Sequence, residues 1–171
     1  PVTFTILHTN DFHGQLEPSS ADPTKASNPG MARLAAVINS VRTAKGTNNV
    51  LLVDAGDEMQ GSLLSNIQKG LPTIDVFNAM GYNAATFGNH EFDWGQSVLA
   101  DRTTQANYPY LTANIVKNDT GNCTTAGWTK PDFADAPYQI LNVGSPMSVK
   151  VAFIGVTTQE TPTITIAAAT A

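Results

Sequence analysis

Apolar residues along the chain switch between two spacings, and each switch marks a change of element. Val2 to His8 is rich in β-branched residues with partial alternation, which predicts a strand, and polar residues take over at Thr9-Asn10-Asp11. Gly30 to Ala44 carries Met31, Leu34, Ala35, Val37, Ile38 and Val41, a 3.6-residue repeat that predicts an amphipathic helix closing near Gly46. Val50 to Val53 is a continuous apolar run, as in a strand buried on both faces, and it gives way to Asp54-Ala55-Gly56-Asp57. The pattern then repeats. A helix is predicted over Pro72 to Met80, with a proline near its first turn, and a strand over Ala84 to Phe87 that runs into Gly88-Asn89-His90-Glu91. A helix over 95–105 and a strand over Tyr110 to Asn114 follow. Residues 17–29 and 117–136 are rich in Gly, Pro, Ser, Asp and Asn and read as surface loops. Tyr138 to Val143 and Val149 to Val156 predict two last strands paired around Gly144-Ser145-Pro146, and the tail from Ile164 carries no stop signal.

Strands alternating with helices predict an α/β fold, a mainly parallel sheet with helices on both faces. Three of the strands end in polar clusters, and open α/β sheets bind ligands at the C-terminal ends of their strands. The three clusters are therefore expected to converge. His8 lies inside the first strand and is expected to pack there.

Composition narrows the chemistry. The 171 residues suffice for one compact core, and 42% hydrophobic residues are ordinary for a globular chain. Charged residues are sparse at 13%, with Asn and Thr in their place, a surface that suits an exported protein. The net charge of −5 comes without a basic patch, which argues against binding a nucleic acid duplex. Small phosphorylated substrates stay open, because a metal can supply the positive charge. No apolar run approaches the length of a membrane helix, and no basic start precedes an apolar segment, so no membrane span and no signal peptide are expected. The single cysteine, Cys123, is read as a small side chain in a loop, and Asn118 and Asn122 begin Asn-x-Thr sequons.

Each polar cluster has its own chemistry. Asp11 and His13, two residues apart just past a strand, can hold one divalent ion from two sides, and Asp with His suits Zn, Mn or Fe over Ca. Asp57 lies in Gly56-Asp-Glu-Met-Gln-Gly61 after a fully apolar strand, where an unpaired carboxylate is costly. Its two oxygens could bridge two metals, though Asp after Gly is also a good helix N-cap, and the pattern alone leaves both open. In Gly88-Asn-His-Glu-Phe-Asp93, Asn89 can offer a carbonyl oxygen to a metal. His90 can donate to a phosphoryl oxygen or protonate a leaving group, and Asp93 could hold its ring and raise its basicity.

Asp-x-His, Gly-Asp-x-x-x-Gly and Gly-Asn-His-Glu, in this order at strand ends, resemble the calcineurin-like metallophosphoesterase superfamily. Leu7-His-Thr-Asn-Asp-Phe-His-Gly14 and Gly88-Asn-His-Glu-Phe-Asp-Trp-Gly95 are similar to its 5'-nucleotidase and 2',3'-cyclic phosphodiesterase branch, which UDP-sugar hydrolases and thiosulfohydrolases share. General similarity continues through Val151 to Thr157. The resemblance implies that residues 1–171 form the N-terminal part of a catalytic domain, a portion of the four-layer metallophosphoesterase sandwich. It implies two divalent metal ions (Zn, Mn, Fe or Co), with Asp11 and His13 on the first, Asp57 bridging and Asn89 on the second. His90, paired with Asp93, would stabilise the transition state. The implied activity is hydrolysis of nucleotides to nucleosides and phosphate by a metal-activated water.

Members of that branch carry a further His and a Gly-His-x-His motif, then a C-terminal nucleoside-binding domain. This chain has only His8, His13 and His90. It is therefore expected to be a fragment, inactive or nearly so in isolation, with exposed sheet edge and apolar surface that favour self-association. Nearest alternatives for the substrate are a 2',3'-cyclic phosphodiester or a UDP-sugar. A different class of function is a non-catalytic binding module. The branch is usually exported, so a periplasmic, surface or extracellular location is expected.

Overall fold

A computed structural model describes residues 1–22, 24–25, 27–117 and 129–165. Cys123 and the sequon residues Asn118 and Asn122 lie outside the described residues. The elements run β1 (Thr5–Thr9), α1 (Met31–Lys45), β2 (Val50–Asp54), α2 (Leu63–Ile67), α3 (Leu71–Met80), β3 (Ala84–Thr86), α4 (Gln96–Gln105), β4 (Tyr110–Leu111), β5 (Tyr138–Val143), β6 (Val149–Ile154) and α5 (Thr161–Ile164). Strands β1 to β4 form one sheet in that order, every pair parallel. Consecutive strands are thus neighbours, and the three polar strand ends lie side by side on one edge.

Burial follows the sequence pattern where the strand is central. In β2, Val50, Leu51 and Leu52 are all buried, so both faces are covered, as the unbroken apolar run predicts. β1 pairs on one side only, with Thr5 opposite Val50 through Thr9 opposite Asp54, and its outer face is uncovered. His8 and Ile6 point out from that face. His8 is exposed rather than packed, because β1 is an edge strand and none of the described residues buries it.

Helix α3 buries Thr73, Ile74, Phe77 and Met80, one stripe at three- and four-residue spacing. It stops at Gly81, which takes the left-handed conformation. Its last carbonyls would be orphaned there, but Arg42 of α1 donates to the Met80 and Gly81 oxygens at 2.6 and 3.0 Å. Aromatic rings fill the space beneath the sheet ends: Phe77 stacks on Tyr82 at 4.1 Å and Phe87 on Tyr110 at 5.1 Å.

Several expectations change. In α1, Val37 is exposed, so the apolar stripe is narrower than its sequence suggests. The strand at Tyr110 closes after Leu111, because Thr112 and Ala113 give their N–H groups to Ala136 and Gly155 instead of to a sheet neighbour. Part of the loop after Lys117 is interior: Phe133 is buried edge-on against Phe87 and Phe92. The last strand ends at Ile154, Thr161–Ile164 form the short helix α5, and residues 166–171 of the tail lie outside the described residues. β5 and β6 pair antiparallel as expected, as a separate two-stranded sheet that leaves Tyr138, Ile140, Ile154 and Val156 exposed.

Candidate metal centre and active site

The loops after β1 and β2 are zipped together by their backbones. Asp11, His13 and Gly14 donate to the carbonyls of Gly56, Asp57 and Glu58 at 3.0, 2.9 and 2.8 Å. The ladder continues the β1–β2 pairing past the sheet, but in a bent form. Asp11, His13 and Asp57 all sit at positive φ, at 49°, 51° and 58°. A left-handed backbone is unfavourable for residues with a Cβ and persists only where the surroundings impose it. Three of the four such residues among the described ones are candidate ligands. Asp57 caps no helix: the following one, α2, is capped by Ser62, whose hydroxyl accepts from the Ser65 N–H.

The loop after β3 closes against this pair. His90 N–H donates to Asp57 Oδ1 at 2.9 Å. A Cβ on Gly88 would stand 2.2 Å from that same oxygen, so only glycine lets the two loops approach so closely. Ligand atoms of His13, Asp57 and His90 come to lie within 4.8 Å of one another. The two imidazoles meet edge to face at 5.1 Å between ring centres. Asp11 is not part of this group, and Asn89 directly precedes His90 on the third loop. Asp11 stays exposed, with Asn10 donating to it at 2.6 Å, and Asn89 donates to the Ile164 carbonyl at 3.4 Å.

Hydrogen bonds set how each ring is presented. His13 Nδ1 is 2.7 Å from the Gln60 carbonyl, which can only accept, so Nδ1 carries the proton and Nε2 keeps its lone pair. His90 Nδ1 meets Asp93 Oδ2 at 2.7 Å, which leaves Nε2 facing outward. Partial burial works against the charged His90 ring. The hydrogen bond and charge of Asp93, with Asp57 and Glu91 behind it, outweigh that and hold its pKa above the usual range.

Glu91 is the residue that sequence reasoning passed over. Its buried carboxylate accepts three backbone N–H groups, from Asp57 and Gly88 at 2.8 and 2.7 Å and from Glu58 at 2.9 Å. It thereby ties the second loop to the third. Burial raises its pKa, and those N–H groups work in the opposite direction. Its only signal in the sequence is an acid fixed beside Asn-His and followed by an aromatic residue. Asp54 lies deeper. Burial pushes it up to about 7, against the pull of the Thr9 hydroxyl at 2.5 Å and the Gly56 N–H at 2.8 Å. Glu58 is fully buried and pushed far up by that burial, with Asp54 and Glu91 adding to it.

The grouped side chains suit a divalent transition metal: the His13 imidazole, with one nitrogen anchored, and the Asp57 carboxylate, on a backbone held in place by its neighbours, offer donor atoms beside the His90 ring. A lone carboxylate cluster could belong to any surface, but strained ligand positions and a glycine cradle do not arise without cause.

Comparison with known proteins agrees with this chemistry. The calcineurin-like phosphoesterase profile matches residues 4–150. The chain belongs to that family. A metallophosphoesterase family implies divalent metal ions, and the clustered His and Asp side chains suit such ions. Among the relatives of this family member, a 5'-nucleotidase from Bos taurus is 39% identical over 168 residues, covering 95% of this chain and 27% of its own length. A snake venom 5'-nucleotidase from Gloydius brevicauda is 40% identical over 165 residues, covering 94% and 26%. The solved structure of a 5'-nucleotidase precursor from Thermus thermophilus superposes with a TM-score of 0.69 at 33% identity, covering 91% of this chain and 29% of that one. The chain thus spans about a quarter of the length of the curated relatives it matches.

Proposed function

We propose that this chain carries active-site residues of a 5'-nucleotidase-type hydrolase that releases phosphate from nucleotides. The observation that carries the reading is the convergence of His13, Asp57 and His90 at the strand ends of a family member whose relatives are named 5'-nucleotidases. Asp11 and His13 would hold one divalent cation, Asp57 would bridge to a second, and Asn89 would offer the second its side-chain oxygen. When bound, the cations supply positive charge to the phosphoryl oxygens and make a water acidic enough to attack phosphorus.

The chain's own groups do the rest. The Gln60 carbonyl fixes the His13 tautomer, so its Nε2 is ready to donate an electron pair. Asp93 holds the His90 ring and favours its charged form, so Nε2–H can meet the charge that builds on a phosphoryl oxygen or on the leaving group. Glu91 keeps Asp57 in register with His90. Nucleotides are the substrates that the relatives' names favour, over a cyclic phosphodiester or a nucleotide sugar. The venom relative and the precursor relative support an exported location, and no described helix is long and apolar enough to cross a membrane.

Titration of the chain with Mn²⁺, followed by electron paramagnetic resonance, tests the metal assignment. Saturable binding that falls at least about tenfold in His13→Ala and Asp57→Asn is expected. Binding that ignores both changes would favour a non-catalytic module and sink the reading.

A further inference from the structure

The segment that ends the described chain folds back onto the loop carrying Asn89 and His90. Two hydrogen bonds seat it there. Asn89 donates to the Ile164 carbonyl, and the Thr165 hydroxyl donates to Asp93 Oδ1 at 2.9 Å. The other Asp93 oxygen holds His90 Nδ1 at 2.7 Å, so the carboxylate stands between a hydroxyl and an imidazole. No sequence motif of the site reaches beyond residue 95, and nothing in the local pattern at 161–165 marks it as part of the chemistry.

We propose that Thr165 is a positioning residue for His90, acting through Asp93. A carboxylate held by one hydrogen bond can rotate about its last torsion and offer either oxygen to its partner. The terminal torsion of Asp is broad, so rotation is cheap. Thr165 takes the second oxygen and fixes the carboxylate plane, which leaves the first aimed at Nδ1. The Asp93 side chain is only 10% exposed, so water is poorly placed to substitute for the hydroxyl. Asn89 reports the same docking. A carbonyl can only accept, so the amide end that meets Ile164 is the NH₂, and Oδ1 is turned away from it. The α5 turn therefore sets the presentation of two site residues at once, one through a side chain and one through its backbone.

The value of this device to catalysis rests on the role given to His90 above, but its measurement does not. Nitrogen-15 NMR of the 171-residue chain, free of metal and substrate, reads the His90 ring directly. The native chain is expected to show Nδ1 protonated, with slowed exchange of that proton. Thr165→Val keeps the shape and removes the hydroxyl. It is expected to speed exchange about tenfold, the size of one hydrogen bond to a charged group. Thr165→Ser should restore the native spectrum. In an Asp93→Asn background, Thr165→Val should change nothing further. An unchanged His90 spectrum in Thr165→Val would overturn the assignment, as would effects of the two substitutions that simply add. Loss of Mn²⁺ binding in the native chain would leave this result standing and strike only the reading of function.

Discussion

Asp54→Asn separates the stability of this fold from its chemistry. Asp54 ends β2 beneath the three site loops, and burial raises its pKa from the ordinary 3.8 to about 7. A raised carboxylate destabilises the fold as pH rises. Between the two values the unfolded chain gives up its proton while the folded chain keeps it, so the unfolded state binds fewer protons and stability falls. The loss begins near pH 4, is complete just above pH 7, and stays constant beyond. Roughly three pKa units at about 1.4 kcal/mol each put it at about 4 kcal/mol, of which about 3 falls between pH 5 and pH 8. Asparagine does not titrate, yet it reproduces the protonated acid. Its carbonyl can accept from the Gly56 N–H, and its NH₂ can donate to the Thr9 hydroxyl, which in turn reaches the Tyr82 hydroxyl at 2.9 Å. Urea unfolding in EDTA, followed by circular dichroism at pH 5 and pH 8, measures the difference. The native chain should lose about 3 kcal/mol more than the variant over that range, a midpoint change of about 1.5 M for a slope of about 2 kcal/mol per molar urea. Equal losses in both proteins would show that Asp54 ionises freely, and the argument from burial would fail.

The remaining expectations concern the site and the surface. Gly88→Ala drives a methyl group into Asp57 Oδ1, so Mn²⁺ affinity should fall by about ten- to a hundredfold while far-ultraviolet circular dichroism is unchanged. Native Mn²⁺ affinity in that variant would mean that Asp57 is not a ligand. The exposed hairpin residues Tyr138, Ile140 and Ile154 should drive self-association at high concentration, and the double change Ile140→Lys with Ile154→Lys should abolish it. Light scattering decides the point, and a native chain that is monomeric throughout contradicts it.

Much of this protein is legible from its sequence, because the relevant information is local. Period-2 and period-3.6 patterns reflect contacts within a few residues, so β1, α1, β2, α3 and α4 can be placed without knowing their partners. Polar clusters directly after apolar strands mark one edge of a parallel sheet, and that alone predicts that Asp11, His13, Asp57, Asn89 and His90 approach one another. The pairing of His90 with Asp93 is equally local, three residues apart. What sequence cannot reveal is which partner a group meets across the fold. Glu91 accepts from Asp57 over 34 positions, and Thr165 reaches Asp93 over 72. The strand pattern places His8 in β1, but only the sheet order makes β1 an edge strand and leaves His8 exposed. The positive φ values of Asp11, His13 and Asp57 arise from loops zipped to each other, not from the residues themselves. Local propensity chooses elements and the strand order chooses the edge. Long-range hydrogen bonds and burial, which exist only once the chain is folded, set the geometry and the protonation states of the site.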